Sequence, residues 1–521
     1  MPNFIPYDHN QSAMVVINFE DQIQPGTFEH AIHFLIEYKL DLSIFHPKYK
    51  NDVTGRRAYD PAVLLKIILF AYSKGITSSR EIEWCCQTNI IFKALSCDTT
   101  PHYTTIAGFV SGFPSAIETL FEQVLLVCDE QGLLGHELFA IDGCKMSSNA
   151  AKEWSGTFKE LEQKRDKIKR HIQHHMDEHQ KMDDNDSLNE ARKQRSEQAI
   201  NTLTHAYDKV DHFLKTSSPR QGNGKAKKEV KSNITDNESA KMTTSKGTHQ
   251  GYNGIASVDK KHQVIVDAQA FGSGQEQHTL QPVLETIKAR YQRIGLSDDI
   301  YKDKVIVTAD TGFANEANIQ YLNQQTINAY IPDNQFRSRD PKFADQKEKH
   351  GKRSSGKNKS TEMIPATEFD FDPVNLQCRC PAGELISFRN KRKDTHGHLK
   401  VFFEGKLSQC RHCTLKQQCM KNPAAADHRK GNGRQVSFII EKNTRAANYT
   451  DWMKQRVDSN KGKLIYSHRM SVVEPVFGNI GTNKRLHRFS LRGKNKVQGQ
   501  WQLYCLVHNI EKLANYGKMA A

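Results

Sequence analysis

Two short apolar runs that each end on an aspartate constrain most strongly how this chain can fold. The first, ELFAID, runs into Asp142, and the second, KVIVTAD, runs into Asp310 and is followed at once by Thr311-Gly312. Valine and isoleucine favour buried strands, and a Thr-Gly pair marks a sharp exit from a strand. An acid at the end of a buried strand costs desolvation energy unless a cation or hydrogen bonds compensate it. Because open α/β sheets carry their chemistry at such strand ends, the two runs predict a sheet with one functional edge.

The segments around these runs predict the rest of a core. Residues 1 to about 125 carry helix signals and fit a helix-turn-helix-like module and a plain helical bundle equally well. Apolar residues at three- and four-residue steps over 151–215 predict an antiparallel helical hairpin that pairs as in a coiled coil. Residues 251–271 predict a β-hairpin, which an amphipathic helix separates from the strand that ends at Asp310. The basic stretches 217–233 and 337–360 predict mobile links.

The charge of the chain indicates its partner. The 521 residues carry a net charge of +15, which no fold requires, so a polyanion and above all nucleic acid is the leading expectation. A basic solvated surface is the alternative. No stretch approaches the ~20 apolar residues that span a bilayer, and residues 1–11 lack the pattern of a secretory signal. These features favour the cytoplasm and exclude a membrane partner.

Three acids form the candidate catalytic set, namely Asp142, Asp310 and Glu474, which lies in RMSVVEPVFGNI. If they meet, they would repel one another unless divalent cations neutralised them, and hard oxygen ligands suit Mg²⁺ or Mn²⁺. Each acid also has a structural alternative. The aspartates could cap turns, and Glu474 could complete a capping box with Ser471.

The motifs that hold these acids resemble the bacterial insertion-sequence transposases of the DDE type. YDPAVLLKIILFAYSKGITSSREIE and HYTTIAGF resemble their N-terminal domain, and FAIDGCKMSSNA and VTADTGF resemble the two aspartate motifs. YSHRMSVVEPVFGNI resembles the motif with the glutamate. Within this family the chain looks most like the IS-four-type superfamily and its IS-eleven-eighty-two group. The resemblance implies a ribonuclease-H-like α/β core with an all-α N-terminal domain, a helical-hairpin insertion and a small cysteine-rich insertion like a zinc ribbon.

The resemblance also implies roles for single residues. Asp142, Asp310 and Glu474 match the metal-binding triad, and Tyr466 and Arg469 match residues that contact DNA phosphates. Two departures are visible, because four residues instead of three separate Arg469 from Glu474, and Gly481 stands where the family has lysine. The nearest replacement for that lysine is Lys484. Further phosphate contacts are expected from a basic run, for which a solvated helix face is the alternative: Lys484, Arg485, Arg488, Arg492, Lys494 and Lys496.

The activity that the resemblance implies is DNA transposition. The triad would hold two Mg²⁺ or Mn²⁺ ions, one of which activates water to cut at the end of the element. The freed 3′-hydroxyl would then attack target DNA. Double-stranded DNA of the terminal inverted repeats and of the target is the expected substrate, and a homodimer on DNA is the expected assembly. The alternatives are a nuclease of the same fold without strand transfer, and a DNA-binding protein that no longer cleaves.

A cluster of cysteines predicts a second metal site. Cys410 and Cys413 form a CxxC pair, and Cys419 follows. Cys380 supplies a fourth thiolate for tetrahedral Zn²⁺, with Cys378 as a spare or an exchangeable alternative. A redox-active CxxC and reduced thiols are the other interpretations. Relatives often carry such cysteines between the second aspartate and the glutamate.

These inferences divide the chain into four regions. The regions are a helical N-terminal DNA-binding domain at 1–130, the first part of the core at 131–330 with the hairpin insertion at about 151–230, a basic linker and cysteine-rich insertion at 331–460, and a C-terminal helical part with the glutamate at 461–521.

Overall fold

The computed structural model describes most of the chain. The described residues are 16–51, 57–183, 190–222, 227–244, 247–343, 363–394, 398–428, 432–441 and 448–518. The expectations about residues 1–11 and about most of the basic stretch 337–360 lie outside these residues.

Two compact units make up the structure. One is Met1–Phe336 together with Tyr449–Ala521, and the other is Arg337–Asn448. Asp142, Asp310 and Glu474 belong to the first unit, whereas the cysteine cluster belongs to the second. The candidate acidic site and the candidate zinc site are therefore parts of different units.

Helices dominate the N-terminal region and the C-terminal part of the first unit. The α-helices are α1 (Phe28–Tyr38), α2 (Pro61–Ser73), α3 (Ser79–Thr88), α4 (Ile90–Ser96), α5 (Tyr103–Gly112), α6 (Pro114–Glu130), α7 (Phe158–Asp183), α8 (Glu190–Thr216), α9 (Leu280–Arg293), α10 (Glu316–Gln324), α11 (Phe336–Arg339), α12 (Leu407–Arg411), α13 (Lys416–Cys419), α14 (Tyr449–Asp458), α15 (Asn460–Gly478) and α16 (Lys494–Tyr516). Local sequence explains how α2 starts, because the Asp60 carboxylate accepts a hydrogen bond from the Ala62 N–H at 2.8 Å, just ahead of Pro61. The expected helical N-terminal region is confirmed.

A mixed sheet forms the centre of the first unit. The strands of this unit are β1 (Leu138–Ser147), β2 (Ser155–Gly156), β3 (Arg220–Gln221), β4 (Glu229–Val230), β5 (Ser232–Asn233), β6 (Ala240–Thr244), β7 (Gly247–Asp259), β8 (Ile265–Phe271), β9 (Ile306–Ala309) and β10 (Ala329–Tyr330). β8, β7, β1, β9 and β10 lie side by side in that order, and β6 pairs with the start of β7. β7 is antiparallel to both β1 and β8, whereas β9 is parallel to β1 and to β10. The predicted β7–β8 hairpin is therefore present.

Helices cover both faces of this sheet. Phe139 of β1 packs against Tyr291 of α9, with ring centroids 5.9 Å apart. Gly254 of β7 faces the other side and lies beneath the Trp501 ring of α16. Phe477 of α15 stacks on Trp501, so α15 and α16 share the face opposite α9.

The last helix, α16, joins the sheet to the N-terminal helices. Its side chains are buried over almost the whole of residues 497–510. Tyr504 packs edge-on against Tyr72 of α2, with ring centroids 5.2 Å apart, and α6 also packs on α16. One apolar core therefore contains the N-terminal helices, the sheet and α16.

The two longest helices pair with each other. α7 and α8 are antiparallel, since Arg165 lies 3.4 Å from Asp211 and His179 lies 3.7 Å from Glu197. An apolar cluster closes their base and consists of Leu161, Val210 and Phe213 with Trp154, Phe158, Ile168, Leu214 and Ile234 at its edge. The predicted helical hairpin is therefore present.

The basic stretch 217–233, predicted to be a mobile link, forms short strand pairs instead. β3 pairs with β4, and β5 pairs with β2. The buried Asn233 side chain donates a hydrogen bond to the Ala151 carbonyl at 2.8 Å. Because these contacts hold both sides of the stretch, its described residues form a wall of the first unit, and the prediction of a link was wrong for them.

The second unit is a small antiparallel sheet. Its strands are β11 (Asp370–Asp372), β12 (Gln377–Arg379), β13 (Leu385–Lys393), β14 (Leu399–Glu404) and β15 (Gln435–Glu441), paired in that order. A separate apolar cluster supports it and includes Phe369, Cys378, Ile386, Val401, Phe403 and Val436. In the part of the chain that the structure describes, every helix is too short or too polar to span a bilayer.

Candidate active site

Asp142 and Asp310 lie next to each other on neighbouring strands. β1 and β9 run parallel, and Ile141 pairs with Ala309, so each aspartate is the residue that follows this pair. Adjacent strands are about 4.8 Å apart, which brings the two carboxylates to the same part of the sheet. The turn-capping alternative fits neither residue. Asp142 lies inside β1, and the Asp310 side chain makes no capping hydrogen bond to the short helix after it.

The charge of this pair is only partly compensated. Burial raises the pKa of Asp142, while the Arg469 guanidinium and the Gly143 N–H lower it and Asp310 raises it again. The Gly143 N–H donates to Asp142 Oδ1 at 2.8 Å. Two carboxylates in a partly buried site make it attractive to cations.

Glu276, which the sequence did not single out, adds a third carboxylate. It precedes α9, and its side chain is 16% exposed. Glu276 Oε2 lies against Gly312, so that any larger residue there would collide with it. Burial raises the pKa of Glu276, Lys145 lowers it, and Asp142 and Asp310 raise it further. Lys145 Nζ is 3.8 Å from Glu276 Oε1, so the three acids share one lysine and one arginine as nearby cations.

Glu474 lies elsewhere in this structure. It is exposed on α15, five residues after Arg469, which corresponds to about 140° around the helix axis. Within the described residues it has no hydrogen bond or ion pair. The capping-box alternative does not fit either, because Ser471 lies inside α15. Across the described chain, no three histidine, cysteine or acidic side chains stand in an arrangement that could hold a metal ion.

Arg469 is the residue of α15 that contacts Asp142. Its guanidinium is buried and lies 2.6 Å from Asp142 Oδ2. Tyr466, one turn earlier on α15, packs edge-on against Phe336 with ring centroids 5.2 Å apart. Both residues thus lie on or near the helix surface that covers the sheet, and Arg469 touches the acidic site directly.

A strip of exposed basic side chains runs beside the end of β1. The Phe489 N–H donates to the Ser147 carbonyl at 2.9 Å, and Arg492 Nε donates to the Asn149 carbonyl at 2.7 Å. These bonds hold the segment that contains Phe489 and Arg492 at the end of β1, the strand that carries Asp142. The basic strip, as we call it, consists of Arg485, Arg488, Arg492, Lys494 and Lys496, all exposed.

Lys484 differs from the basic strip. Its side chain is 7% exposed, and Nζ lies 2.9 Å from Glu511 Oε1 of α16. Its carbonyl is also packed against Gly75. In this structure Lys484 is a buried ion-pair partner, which does not support the predicted phosphate contact.

Comparison with known families decides the identity of the chain. The Transposase DDE domain matches residues 379–514, and a second transposase domain matches residues 17–112. These two matches support a DDE-type transposase. No curated protein matches it. The match to the DDE domain contains Glu474 and the basic strip, whereas Asp142 and Asp310 lie between the two matched segments of the transposase.

The second unit of the transposase gathers four of its cysteines around one cavity. The cavity has a volume of about 410 Å³, and the thiols on its wall are those of Cys380, Cys410, Cys413 and Cys419. Burial raises the pKa of Cys419, Arg434 lowers it, and the other three thiols raise it. Cys378 is not on this wall, and its side chain is 1% exposed in the apolar cluster, to which Cys419 also belongs.

Tight turns set these cysteines in place. The Gly383 N–H donates to the Cys380 carbonyl at 2.8 Å, and Gly383 has a φ of +86° that favours glycine. Cys410 Sγ accepts a hydrogen bond from the Arg434 N–H at 3.5 Å. The donor set of four thiols fits Zn²⁺ chemically, although the side chains as described do not stand at coordinating positions.

Proposed function

We propose that this transposase binds the ends of an insertion sequence, cleaves phosphodiester bonds there and joins the freed 3′-hydroxyl to target DNA. The observation that carries the proposal is the paired register of β1 and β9, which puts Asp142 and Asp310 side by side. The far end of β1 is bonded to the segment that carries the basic strip. The strand order and directions of the sheet support a ribonuclease-H-like core. Recognition of the DNA ends by the helical N-terminal region, a homodimer on DNA and membership of the IS-eleven-eighty-two group stay predictions from the resemblance.

In this proposal Asp142 and Asp310 are ligands of divalent metal, with Glu276 beside them and Glu474 as the third acid that the resemblance assigns. Two Mg²⁺ or Mn²⁺ ions supply an activated water and a stabilised leaving oxygen when they are bound. Arg469 neutralises Asp142 in the structure described here. When a metal ion compensates the charge of Asp142 instead, the Arg469 guanidinium is free to bind a DNA phosphate. Tyr466 and the basic strip would hold the backbone on either side.

The test of this function uses purified protein and labelled DNA from the flanks of its own gene, with Mg²⁺ or EDTA. Cuts at discrete ends together with joined products, both lost in EDTA, are the expected result. Cuts without joined products would identify a nuclease of the same fold. Binding without cutting under any metal would leave only a DNA-binding protein.

Replacing Glu276 by glutamine should raise the Mg²⁺ concentration needed for half-maximal cleavage by about 10- to 100-fold, the usual effect of removing a group that orients metal ligands. The reason is its position against Gly312 and near both aspartates. The measurement is cleavage rate against Mg²⁺ concentration. Glu137→Gln, an exposed acid at the opposite end of β1, is the matched control. An unchanged Mg²⁺ requirement in Glu276→Gln would show that Glu276 has no part in metal binding.

We also propose a structural Zn²⁺ in the second unit, bound by Cys380, Cys410, Cys413 and Cys419. The shared cavity supports this set, and it favours Cys380 over Cys378 because Cys380 lines the cavity and Cys378 does not. A sheet with so small a core gains folding free energy from a metal that ties its turns together. The ion would have a structural role and no part in cleavage.

Metal analysis of the purified protein should find about one zinc ion per chain. Cys413→Ser should lose most of this zinc, because three thiolates bind it less tightly. Cys378→Ala should keep it, and Cys97→Ser, an exposed cysteine of the first unit, is the control. Full zinc content in Cys413→Ser would contradict the proposed ligands.

A further inference from the structure

A wide groove opens next to the acidic site. It has a volume of about 1080 Å³, and its walls come from β3, β4, β6 and the segment just after β8. All of these elements belong to the first unit. The groove therefore includes the stretch that sequence analysis interpreted as a basic link and that the proposed function does not use.

The charged side chains on the walls of the groove are almost all basic. The cationic side chains are Lys145, Arg220, Lys227, Lys228, Lys231 and Lys241. Among the described lining residues, Glu229 is the sole carboxylate. A concave surface of one sign concentrates its field and attracts a polyanion more strongly than a flat basic surface does.

One end of the groove meets the acidic site. Lys145 lies three residues after Asp142 on β1, and Gln277 follows Glu276 directly. The 3.8 Å contact between Lys145 Nζ and Glu276 Oε1 joins the groove wall to the acids. Glu276 therefore links the groove wall to the two aspartates, whose charges raise its pKa.

The lysines in the groove are largely available to a ligand. Lys227, Lys228 and Lys241 are exposed, and within the described residues none of them forms an ion pair. Lys231 lies 3.2 Å from Glu160. A solvated face would carry such lysines too, but it would not surround them with a rigid concave wall.

Arg220 gives the wall that rigidity. Its guanidinium donates to the carbonyl of Lys231 at 2.8 Å and to that of Ser239 at 3.2 Å. Burial lowers the pKa of Arg220, as expected for a guanidinium held inside the wall. These hydrogen bonds hold β3 against the segments that contain Lys231 and Ser239. The groove is therefore part of the folded unit.

We propose that this groove binds the sugar-phosphate backbone of one DNA strand next to the phosphate that is cut. The inference rests on the proposed function for the location of that phosphate, and it assigns a substrate-binding role to the segment between α8 and β7. Lys227, Lys228 and Lys241 would each neutralise one phosphate.

The test measures binding of full-length protein to a labelled single-stranded oligonucleotide in EDTA, over a series of salt concentrations. Each phosphate contact on single strands contributes about 0.7 to the slope of log K against log salt. The triple variant Lys227→Gln/Lys228→Gln/Lys241→Gln should lower that slope by about 2, and Lys241→Gln alone by about 0.7. The control is Lys260→Gln/Lys304→Gln, two exposed lysines at the opposite end of β1 and β9, which should leave the slope unchanged.

An unchanged slope in both the triple and the single variant would overturn the proposal. A loss seen only with blunt duplex DNA would overturn it as well, because the groove would then hold a duplex. Because no cleavage takes place in EDTA, these results do not depend on catalysis. Failure of the wild type to cut in Mg²⁺ would refute the proposed function and leave the salt slopes as they are.

Discussion

Asp310→Asn should reduce metal-dependent cleavage by about 1000-fold or more, which corresponds to a loss of about 4 kcal/mol of transition-state stabilisation. Asparagine keeps the shape of aspartate but removes the charge that a divalent ion needs. DNA binding in EDTA should be unchanged, because the bound phosphates contact the basic residues and not the acids. The measurements are the rate of strand cleavage in Mg²⁺ and the affinity for the same DNA in EDTA.

Asp142→Asn should give the same loss, since both aspartates follow the same residue pair of β1 and β9. Asp298→Asn is the matched control, because this aspartate is exposed in the same unit and precedes the start of β9, whereas Asp310 follows its end. Cleavage by Asp310→Asn at a rate near that of the wild type would remove the two-aspartate site from the proposed function.

Glu474→Gln should abolish cleavage to a similar extent, by about 1000-fold. Glu474 is exposed and has no partner in the described chain, so the substitution should leave the melting temperature within the range of neutral surface changes. A large loss of activity without a loss of stability would exclude a structural role. It would also mean that α15 changes its position or its rotation when DNA and metal bind.

The control for this prediction is Glu130→Gln, which changes an exposed glutamate at the end of α6. If Glu474→Gln cuts as fast as the wild type while Glu276→Gln does not, the third acid of the site is Glu276. The pair of variants therefore separates the assignment by resemblance from the assignment by proximity.

The two aspartates could be predicted from the sequence because a buried strand is recognisable from a short local run of apolar residues. An apolar run predicts the strand, and the acid that follows the run lies on or next to the sheet, as with Asp142 and Asp310. The prediction that the strand ends at Asp142 was wrong, because β1 continues to Ser147, whereas β9 does end just before Asp310. Glu276 could not be found in this way. It stands in the irregular segment GSGQEQ between β8 and α9, where no periodicity tells which side chain faces the site.

The sequence also did not show which side chains of the basic run would be buried. Lys484 and Arg485 are neighbours in a run of basic residues, yet one is buried against Glu511 and the other is exposed. The difference depends on Glu511, an acid of α16 that lies 27 residues away. The order of the stretch 217–233 likewise depends on pairing of β5 with β2 and on Asn233, which are contacts that local composition does not encode.

The position of α16 has a consequence for synthesis of the protein on the ribosome. The N-terminal helices emerge first, but the surface that they share with the sheet is completed by residues 494–516. Domains are generally able to fold as they emerge, at about 5–20 residues per second, whereas this unit must wait for nearly the whole chain. A chain that stops before residue 494 would therefore expose the apolar surfaces that α16 covers on the N-terminal helices and on the sheet, and it would be prone to degradation.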